Sequence, residues 1–365
     1  MENLEIKHLF NSVYQNKTVL VTGDTGFKGT WLTLWLLQLG AKVIGFSKDD
    51  ITKPSHHKIL NLKYKSYRGN INNLNEIKKV VKKHKPQIIF HLAAQSLVRE
   101  SYHNPTETYL TNVMGTLNVF ESARNTSSVK AIVNITTDKV YENLEIKKAY
   151  KETDQLGGYD MYSSSKACVE ILSSSYRRSF FSDNKILLAT ARAGNVIGGG
   201  DWAKDRLIPD IVKATSKNKP SLIRNPKSVR PWQHVLEPLS GYLLLGQKLL
   251  EGKTAFADGW NFGPDNEQSL TVGEVLNLFK KEWQELKIEY PPQSNKSLHE
   301  AGLLMLDYSK SRQKLKWQPV WNMKSTINKT VGWYKEFYLN KNISTLSDLN
   351  DYIQEATRKK LIWTK

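Results

Sequence analysis

Cysteine is almost missing: Cys168 is the single one among 365 residues. No intramolecular disulfide can form, and no cysteine-rich metal site can be built. Cys168 itself reads as a buried helix residue. Long apolar runs are missing too. The longest, Trp31 to Leu39, is broken by Thr33 and Gln38 and falls short of the roughly 18–20 residues of a membrane span. The opening MENLEIKHLF has no basic region followed by an apolar stretch, so no secretory signal is read. No internal repeat and no long low-complexity linker interrupts the chain. His91 and His234 stand without partners at metal-ligand spacing, so no metal is expected. These absences favour a soluble cytoplasmic protein, and 39% hydrophobic and 10% aromatic residues supply a sizeable core and exclude global disorder.

Acidic residues are also scarce, 35 against 53 Lys and Arg, for a net charge of +18. Such a balance can mark a nucleic-acid binder. Here the lysines scatter along the whole chain. The densest group, Lys78, Lys79, Lys82 and Lys83, shares a helical stretch with Val80 and Val81 and reads as a solvated face. No nucleic-acid partner and no membrane partner is expected, while a small anionic ligand fits.

The first half alternates strand and helix. Lys17–Thr22 reads as a strand ending at glycines, and Phe27–Leu39 as an apolar helix stopped by Gly40. Strands follow at Lys42–Ser47, Ser66–Arg68 (the weakest), Gln87–Ala93, Lys130–Thr136 and Ile186–Ala191. Helices are expected over Leu74–His84, Thr108–Arg124 and Met161–Phe180. This rhythm builds a Rossmann-type, doubly wound parallel α/β sheet, and the continuous apolar strands (VLV, IIF, AIV, ILLA) fit a sheet covered on both faces. Beyond Ala193, glycine, tryptophan and proline become common, with helices near Val272–Trp283 and Ser347–Thr357. The expected organisation is a dinucleotide-binding domain over 1–193, with a returning segment near 232–260, interleaved with a smaller substrate-binding domain over 194–365.

The first strand runs into Gly23-Asp24-Thr25-Gly26-Phe27-Lys28-Gly29 and then a helix. Glycines there allow a tight turn, close approach to a pyrophosphate and close helix–sheet packing. The helix N-terminus offers free N–H groups to phosphate. With strand and helix both flanking it, the motif points to dinucleotide binding. The second strand exits as FSKDD, so Asp49 or Asp50 can reach the ribose diol of NAD, although Ser47 and Lys48 come first. The glycine spacing resembles that of the short-chain dehydrogenase/reductase superfamily, in which an aspartate at the end of the third strand often meets the adenine amine; the resemblance implies that Asn70 does so here through its amide oxygen.

Tyr162 and Lys166 are four apart and share one helix face. A phenol has a pKa of ~10, and a nearby ammonium lowers it toward use as a base. One strand–helix unit earlier, Thr136-Thr137-Asp138-Lys139-Val140-Tyr141 closes the fifth strand, where sheets of this kind bind ligands. Thr137 can hydrogen-bond a sugar hydroxyl. Asp138 and Lys139 add ionisable groups beyond those a simple reductase needs, which suggests a further proton transfer. Against this stands the bland reading of a salt bridge between neighbours.

The stretches GDTGFKGTWLTLWL, HLAAQSLVRESY, TTDKVYEN, LGGYDMYSSSKACVE, RAGNVIGGGDWAKDRLIPD and RPWQHVLEPL together resemble the CDP-glucose 4,6-dehydratases of the extended short-chain dehydrogenase/reductase superfamily. They cover most of residues 17–265 in order, and the last hundred residues match more loosely. The resemblance implies NAD as cofactor, held by Gly23, Thr25, Gly26, Phe27, Lys28, Gly29, Asn70, Ile71, Leu92, Ala93, Ala94, Asn112, Tyr162 and Lys166. It implies Thr137, Asp138, Lys139, Tyr162 and Lys166 as catalytic residues, CDP-glucose as substrate, and Asn195, Arg206 and Arg230 as its phosphate contacts. It also implies a homodimer, or a doubled homotetramer, paired through the helices carrying Asn112 and Tyr162. TDP- and GDP-sugar relatives usually carry glutamate where this chain has Lys139. Two roles are therefore open for Lys139: a base at C5 if its pKa is depressed, or a charged stabiliser of an enolate. Trp202 and Trp232 can line a sugar or base pocket or serve as core. A 4-epimerase of the same superfamily, needing only Thr137, Tyr162 and Lys166, is one competing reading. A non-catalytic dinucleotide sensor is another.

Overall fold

The computed structural model describes residues 6–50, 52–183, 185–265, 269–290 and 301–365. Seven parallel strands form the central sheet: β1 (Thr18–Thr22), β2 (Lys42–Ser47), β3 (Lys65–Arg68), β4 (Ile88–His91), β5 (Ala131–Ile135), β6 (Leu187–Ala193) and β7 (Gly259–Phe262). Their order is β7-β6-β5-β4-β1-β2-β3. The chain leaves β1 in one direction and returns at β4 on its other side, so a crevice opens at the carboxyl ends of these two strands. Alternating side chains split between the faces. Val19, Val21, Ile88, Phe90 and Val133 enter one core, and Leu20, Ile44, Ile89, Ile132 and Leu188 the other, as the two-residue period requires.

The helices that matter to the site are α1 (Phe27–Gln38), α2 (Leu74–His84), α3 (Gly115–Arg124), α4 (Met161–Tyr176), α5 (Leu207–Thr215) and α6 (Leu236–Leu250). The expected Thr108–Arg124 helix starts earlier, at Pro105, and passes through a π-turn at Leu110–Met114 before α3. Likewise α4 ends in a π-turn over Arg177–Phe181. On α2, Ile77, Val80 and Val81 are buried and Lys79, Lys82 and Lys83 are exposed. Cys168 is half-buried rather than buried. It lies on α4 in line with Ser164 and Leu172, along the margin between the packed face of Ala167 and Val169 and the solvent face of Ile171.

The region beyond Ala193 is more regular than its glycine and tryptophan content suggests. Besides α5 and α6 it holds α7 (Val272–Glu282), α8 (Met323–Lys335) and α9 (Thr345–Arg358). Nearly every residue of α6 is buried, because it lies between the sheet and the C-terminal helices. There Glu237 accepts from the Val320 and Trp321 N–H groups at 2.8 and 2.7 Å and from the Tyr352 hydroxyl at 2.7 Å. Among the described residues no helix is long and apolar enough to cross a membrane.

Three histidines are structural. His91 lies between the hydroxyls of Thr22 (2.6 Å) and Thr116 (3.0 Å). His234 packs against Trp31 and Trp321, and His56 between Trp31 and Trp333. Burial lowers all three to about 3. An unfolded chain takes up these protons near pH 6.5, so each contributes stability above that pH that is lost as pH falls toward 3. The expected result in a histidine-labelled NMR titration is that three of the eight imidazoles stay neutral down to pH 5. Titration of all eight near pH 6.5 would contradict these burials.

Candidate functional site

A cavity of about 1000 Å³ opens at the carboxyl ends of β1, β4, β5 and β6. The glycine turn forms one wall. Gly23 has φ +74, and a Cβ there would lie 2.8 Å from the Ala93 nitrogen. At Gly29 a Cβ would lie 2.0 Å from the Gly23 oxygen, so β1 and α1 meet backbone to backbone. Gly26 caps α1 without a side-chain hydrogen bond, which leaves the first N–H groups facing the cavity. A dinucleotide pyrophosphate fits such a cradle. Beneath the turn, Asp24 is fully buried and accepts from Tyr64 and Ser66, both at 2.6 Å. These bonds tie the turn to β3 and explain Gly45, whose Cβ would sit 2.0 Å from the Asp24 carboxylate.

Gly23, Thr25, Gly26, Phe27, Lys28, Gly29, Asn70, Ile71, Leu92, Ala93 and Ala94 all line the cavity. At the end of β2, Asp49 lines it with Ser47 and Lys48. Asp50 turns away to Ser55, His57 and Lys58. The Asn70 amide oxygen already accepts the Asn72 N–H at 3.1 Å. Asn112 differs from expectation. It does not line the cavity; its side chain is fully buried, bonded to Gln95 through both backbone groups and to Ser165. A primary amide that clamps the loop after β4 to α4 has no donor left for a ligand.

Thr137, Asp138, Lys139, Tyr162 and Lys166 converge on one wall. Asp160 caps α4, accepting the Ser163 N–H at 2.9 Å, and so sets the face that carries Tyr162 and Lys166. The Thr137 hydroxyl donates to Asp138 Oδ1 at 3.0 Å and accepts the Lys139 N–H at 3.4 Å. Lys139 Nζ stands 4.0 Å from the same Asp138 oxygen. Asp138 is 2% exposed, and its Oδ2 has no protein partner. That free oxygen is suited to a substrate hydroxyl.

Burial pushes the Tyr162 phenol up to about 12, against the Thr137 hydrogen bond and the Arg206 charge, which pull it down. Burial lowers Lys166 to about 8, opposed by Glu170, so its ammonium is largely intact at pH 7. Lys166 Nζ donates to the Ile135 carbonyl at 3.1 Å. Working as a base near pH 7 requires Tyr162 to fall by about 5 units, or ~7 kcal/mol. A cationic ligand ring beside the phenol is the means that remains.

Glu170 and its partner Arg192 escaped the sequence reading. Glu170, one turn beyond Lys166, takes hydrogen bonds from Thr136 (2.5 Å) and Thr190 (2.6 Å) and an ion pair from Arg192 (2.9 Å). Its i, i+4 spacing from Lys166 was a readable signal; its partner on β6 was not. Lys28 projects toward Tyr242 on α6, with Nζ 3.4 Å from the hydroxyl. Burial first, then Arg206 and Lys166, lower it to about 7, with Asp138 opposing.

Of the residues expected to hold phosphate, Asn195, Arg206 and Arg230 all line the cavity. Arg206 is bonded to Asp201 at 3.0 Å and Ser96 at 2.9 Å. Arg230 donates to the carbonyls of Val229, Ala301 and Gly302. Trp202 and Trp232 are buried and also line the cavity.

Comparison with known proteins gives a consistent picture. The family model for GDP-mannose 4,6 dehydratase matches residues 20–330. A CDP-glucose 4,6-dehydratase of Salmonella typhimurium is 44% identical over 354 residues, covering 94% of this chain and 98% of the relative. A dTDP-glucose 4,6-dehydratase of Bacillus anthracis, solved in complex with NAD, superposes with a TM-score of 0.72 at 24% identity, over 88% of this chain and 97% of that one. A dTDP-glucose 4,6-dehydratase of Streptomyces venezuelae, solved with NAD, superposes with a TM-score of 0.73 at 22% identity, over 87% of this chain and 97% of that one.

Proposed function

The chain belongs to the GDP-mannose 4,6-dehydratase family, and from that premise we propose that it converts CDP-D-glucose to CDP-4-keto-6-deoxy-D-glucose and water as an NAD-dependent hydro-lyase. The 44% identity along nearly the whole chain carries this reading. The meeting of Tyr162 and Lys166 with a buried, half-free Asp138 supports it.

Tyr162 takes the proton of the sugar 4-hydroxyl, polarised also by Thr137. NAD, held at the glycine turn of Gly23, Gly26 and Gly29, would supply the hydride chemistry at C4 and C6 and, when oxidised, a positive ring that would favour the phenolate. Lys166 keeps an ammonium beside the reacting centre. Oxidation at C4 acidifies the C5 proton, and its loss allows Asp138 to protonate the departing 6-hydroxyl from Oδ2. Lys139 faces the same carboxylate from the cavity wall, placed for the elimination half of the reaction. Asn195, Arg206 and Arg230 are assigned to the substrate's phosphates, which requires Arg206 to leave or share its bond with Asp201.

A second copy of the chain is the partner proposed for the exposed apolar side chains Leu110, Met114, Ile171 and Phe180, which lie along the Pro105–Arg124 helical run and α4. A homodimer, or a tetramer built from two, follows. The single cysteine suits a cytoplasmic setting.

The test is product analysis with CDP-, TDP-, GDP- and UDP-glucose. A 4-keto product, with its ultraviolet absorbance in alkali, is expected from the CDP sugar. CDP-galactose as the product would make the chain a 4-epimerase, and no conversion of any sugar would leave a dinucleotide-binding protein only.

A further inference from the structure

Proton bookkeeping exposes a step that the dehydration scheme leaves open. In each turnover the O4–H bond breaks and Tyr162 gains that proton. The C6–O bond breaks, and the leaving oxygen takes a proton from Asp138 to become water. The C5 proton is removed and a proton is restored at C5, so the base there returns to its starting state. At the end Tyr162 holds one proton too many and Asp138 one too few. The enzyme is not ready for a second turnover until that proton has moved.

We propose that Thr137 carries it, passing a proton from the Tyr162 phenol to the Asp138 carboxylate within the cavity wall. This rests on the dehydratase reading above. The Tyr162 O–H bond breaks as a new Thr137 Oγ–H bond forms, and the original Thr137 O–H bond breaks as an Asp138 O–H bond forms. No co-reactant is needed.

The second link of the relay is already formed in the required sense. The Thr137 hydroxyl already donates to Asp138 Oδ1 at 3.0 Å. On its other side it lies close enough to the Tyr162 phenol to lower that group's hold on its proton. The Lys139 N–H at 3.4 Å fixes it from a third direction. The two oxygens of Asp138 divide the work: Oδ1 faces the relay, while Oδ2 is buried and unpartnered, free for the sugar hydroxyl. A half-turn of the carboxyl about Cβ–Cγ exchanges them between turnovers.

Bulk water and the neighbouring carboxylates compete poorly for that proton. Tyr162 is 7%, Thr137 6% and Asp138 2% exposed, so bulk water has little access even before substrate covers them. The carboxylate of Asp160 is engaged by the Ser163 N–H and hydroxyl at 2.9 and 2.6 Å. Asp201 is paired with Arg206. Ionised Asp138 strengthens the hold of Tyr162 on its proton, so losing that proton to bulk water is disfavoured, whereas transfer within the pair keeps a single negative charge there.

Thr137→Val removes the hydroxyl at nearly constant volume and is the test. With excess CDP-glucose the variant's first turnover is expected to slow, because Thr137 also polarises the sugar hydroxyl, but still to be completed. Later turnovers should be at least 10-fold slower, giving a burst of one product per site. Thr137→Ser should restore steady turnover. In mixtures of light and heavy water, wild-type steady turnover should depend on deuterium fraction along a curve, because two protons move together, and the valine variant should lose that curvature. Equal slowing of first and later turnovers would overturn the relay and leave Thr137 acting only on the first proton transfer. Unchanged steady turnover would overturn it too. If valine prevents folding, Thr137→Ala, checked by circular dichroism and retained cofactor, is read against the same outcomes. A wild-type protein that makes no keto sugar would instead refute the dehydratase reading itself, so the two failures are distinguishable.

Discussion

Tyr162→Phe is expected to lower turnover of CDP-glucose by about 10³-fold, within the range that a positioned acid–base group contributes. The reason is local. The phenol oxygen is the group on α4 that faces the Thr137–Asp138 pair, and Lys166, one turn on, cannot replace it, since its Nζ is held at the Ile135 carbonyl. Phenylalanine keeps the ring in its buried seat. Thr137 keeps two of its partners, Asp138 and the Lys139 N–H, so the loss of stability should stay near 1 kcal/mol. Rapid mixing of the variant with CDP-glucose should show no rise in the near-ultraviolet absorbance of reduced nicotinamide. Turnover above a tenth of wild type would remove Tyr162 from the chemistry.

Asp138→Asn should separate the halves of the reaction. The asparagine carbonyl oxygen can still accept from Thr137, so the geometry around Tyr162 survives, but the side chain no longer delivers a proton to a leaving hydroxyl. Hydride removal from C4 should proceed, and reduced nicotinamide should accumulate on the enzyme. The 4-keto-6-deoxy product should fall by about 10²–10³-fold. Lys139, whose Nζ lies 4.0 Å from Asp138 Oδ1, loses its carboxylate partner in this variant. Normal product formation by the variant would show that the proton for the 6-hydroxyl comes from elsewhere, and it would take the Thr137 relay down with it.

Much of this site could be read one residue at a time. Gly23, Gly26 and Gly29 announce a close backbone approach whatever the rest of the chain does, because only glycine tolerates contacts such as the 2.0 Å one at Gly29. Tyr162 and Lys166 announce a shared helix face by spacing alone. The strands of the sheet were legible because they are short apolar runs between glycines and helices. Asn112 shows the limit. Its type and place suit a cofactor contact, yet every polar atom of its side chain is consumed by Gln95 and Ser165. Asp49 and Asp50, adjacent in sequence, part ways because Ser55, His57 and Lys58 capture the second. Helices α5, α6 and α8 were missed because tryptophans, glycines and prolines near them read as loop, whereas α6 is buried along nearly its whole length between the sheet and the C-terminal helices.

Local spacing therefore determined the periodic elements, the glycine turn and the two facing residues of α4, since each depends on atoms a few bonds apart along the chain. Pairings across the chain were decided by the tertiary structure: Arg192 against Glu170, Arg206 against Asp201 and Ser96, Lys28 against Tyr242, and β7 joining β6. Which oxygen of Asp138 is held and which is left free was decided there too. A hydrogen bond or a shifted proton affinity is set by distance and by the exclusion of water, and both come into being only when segments far apart in sequence close on one another.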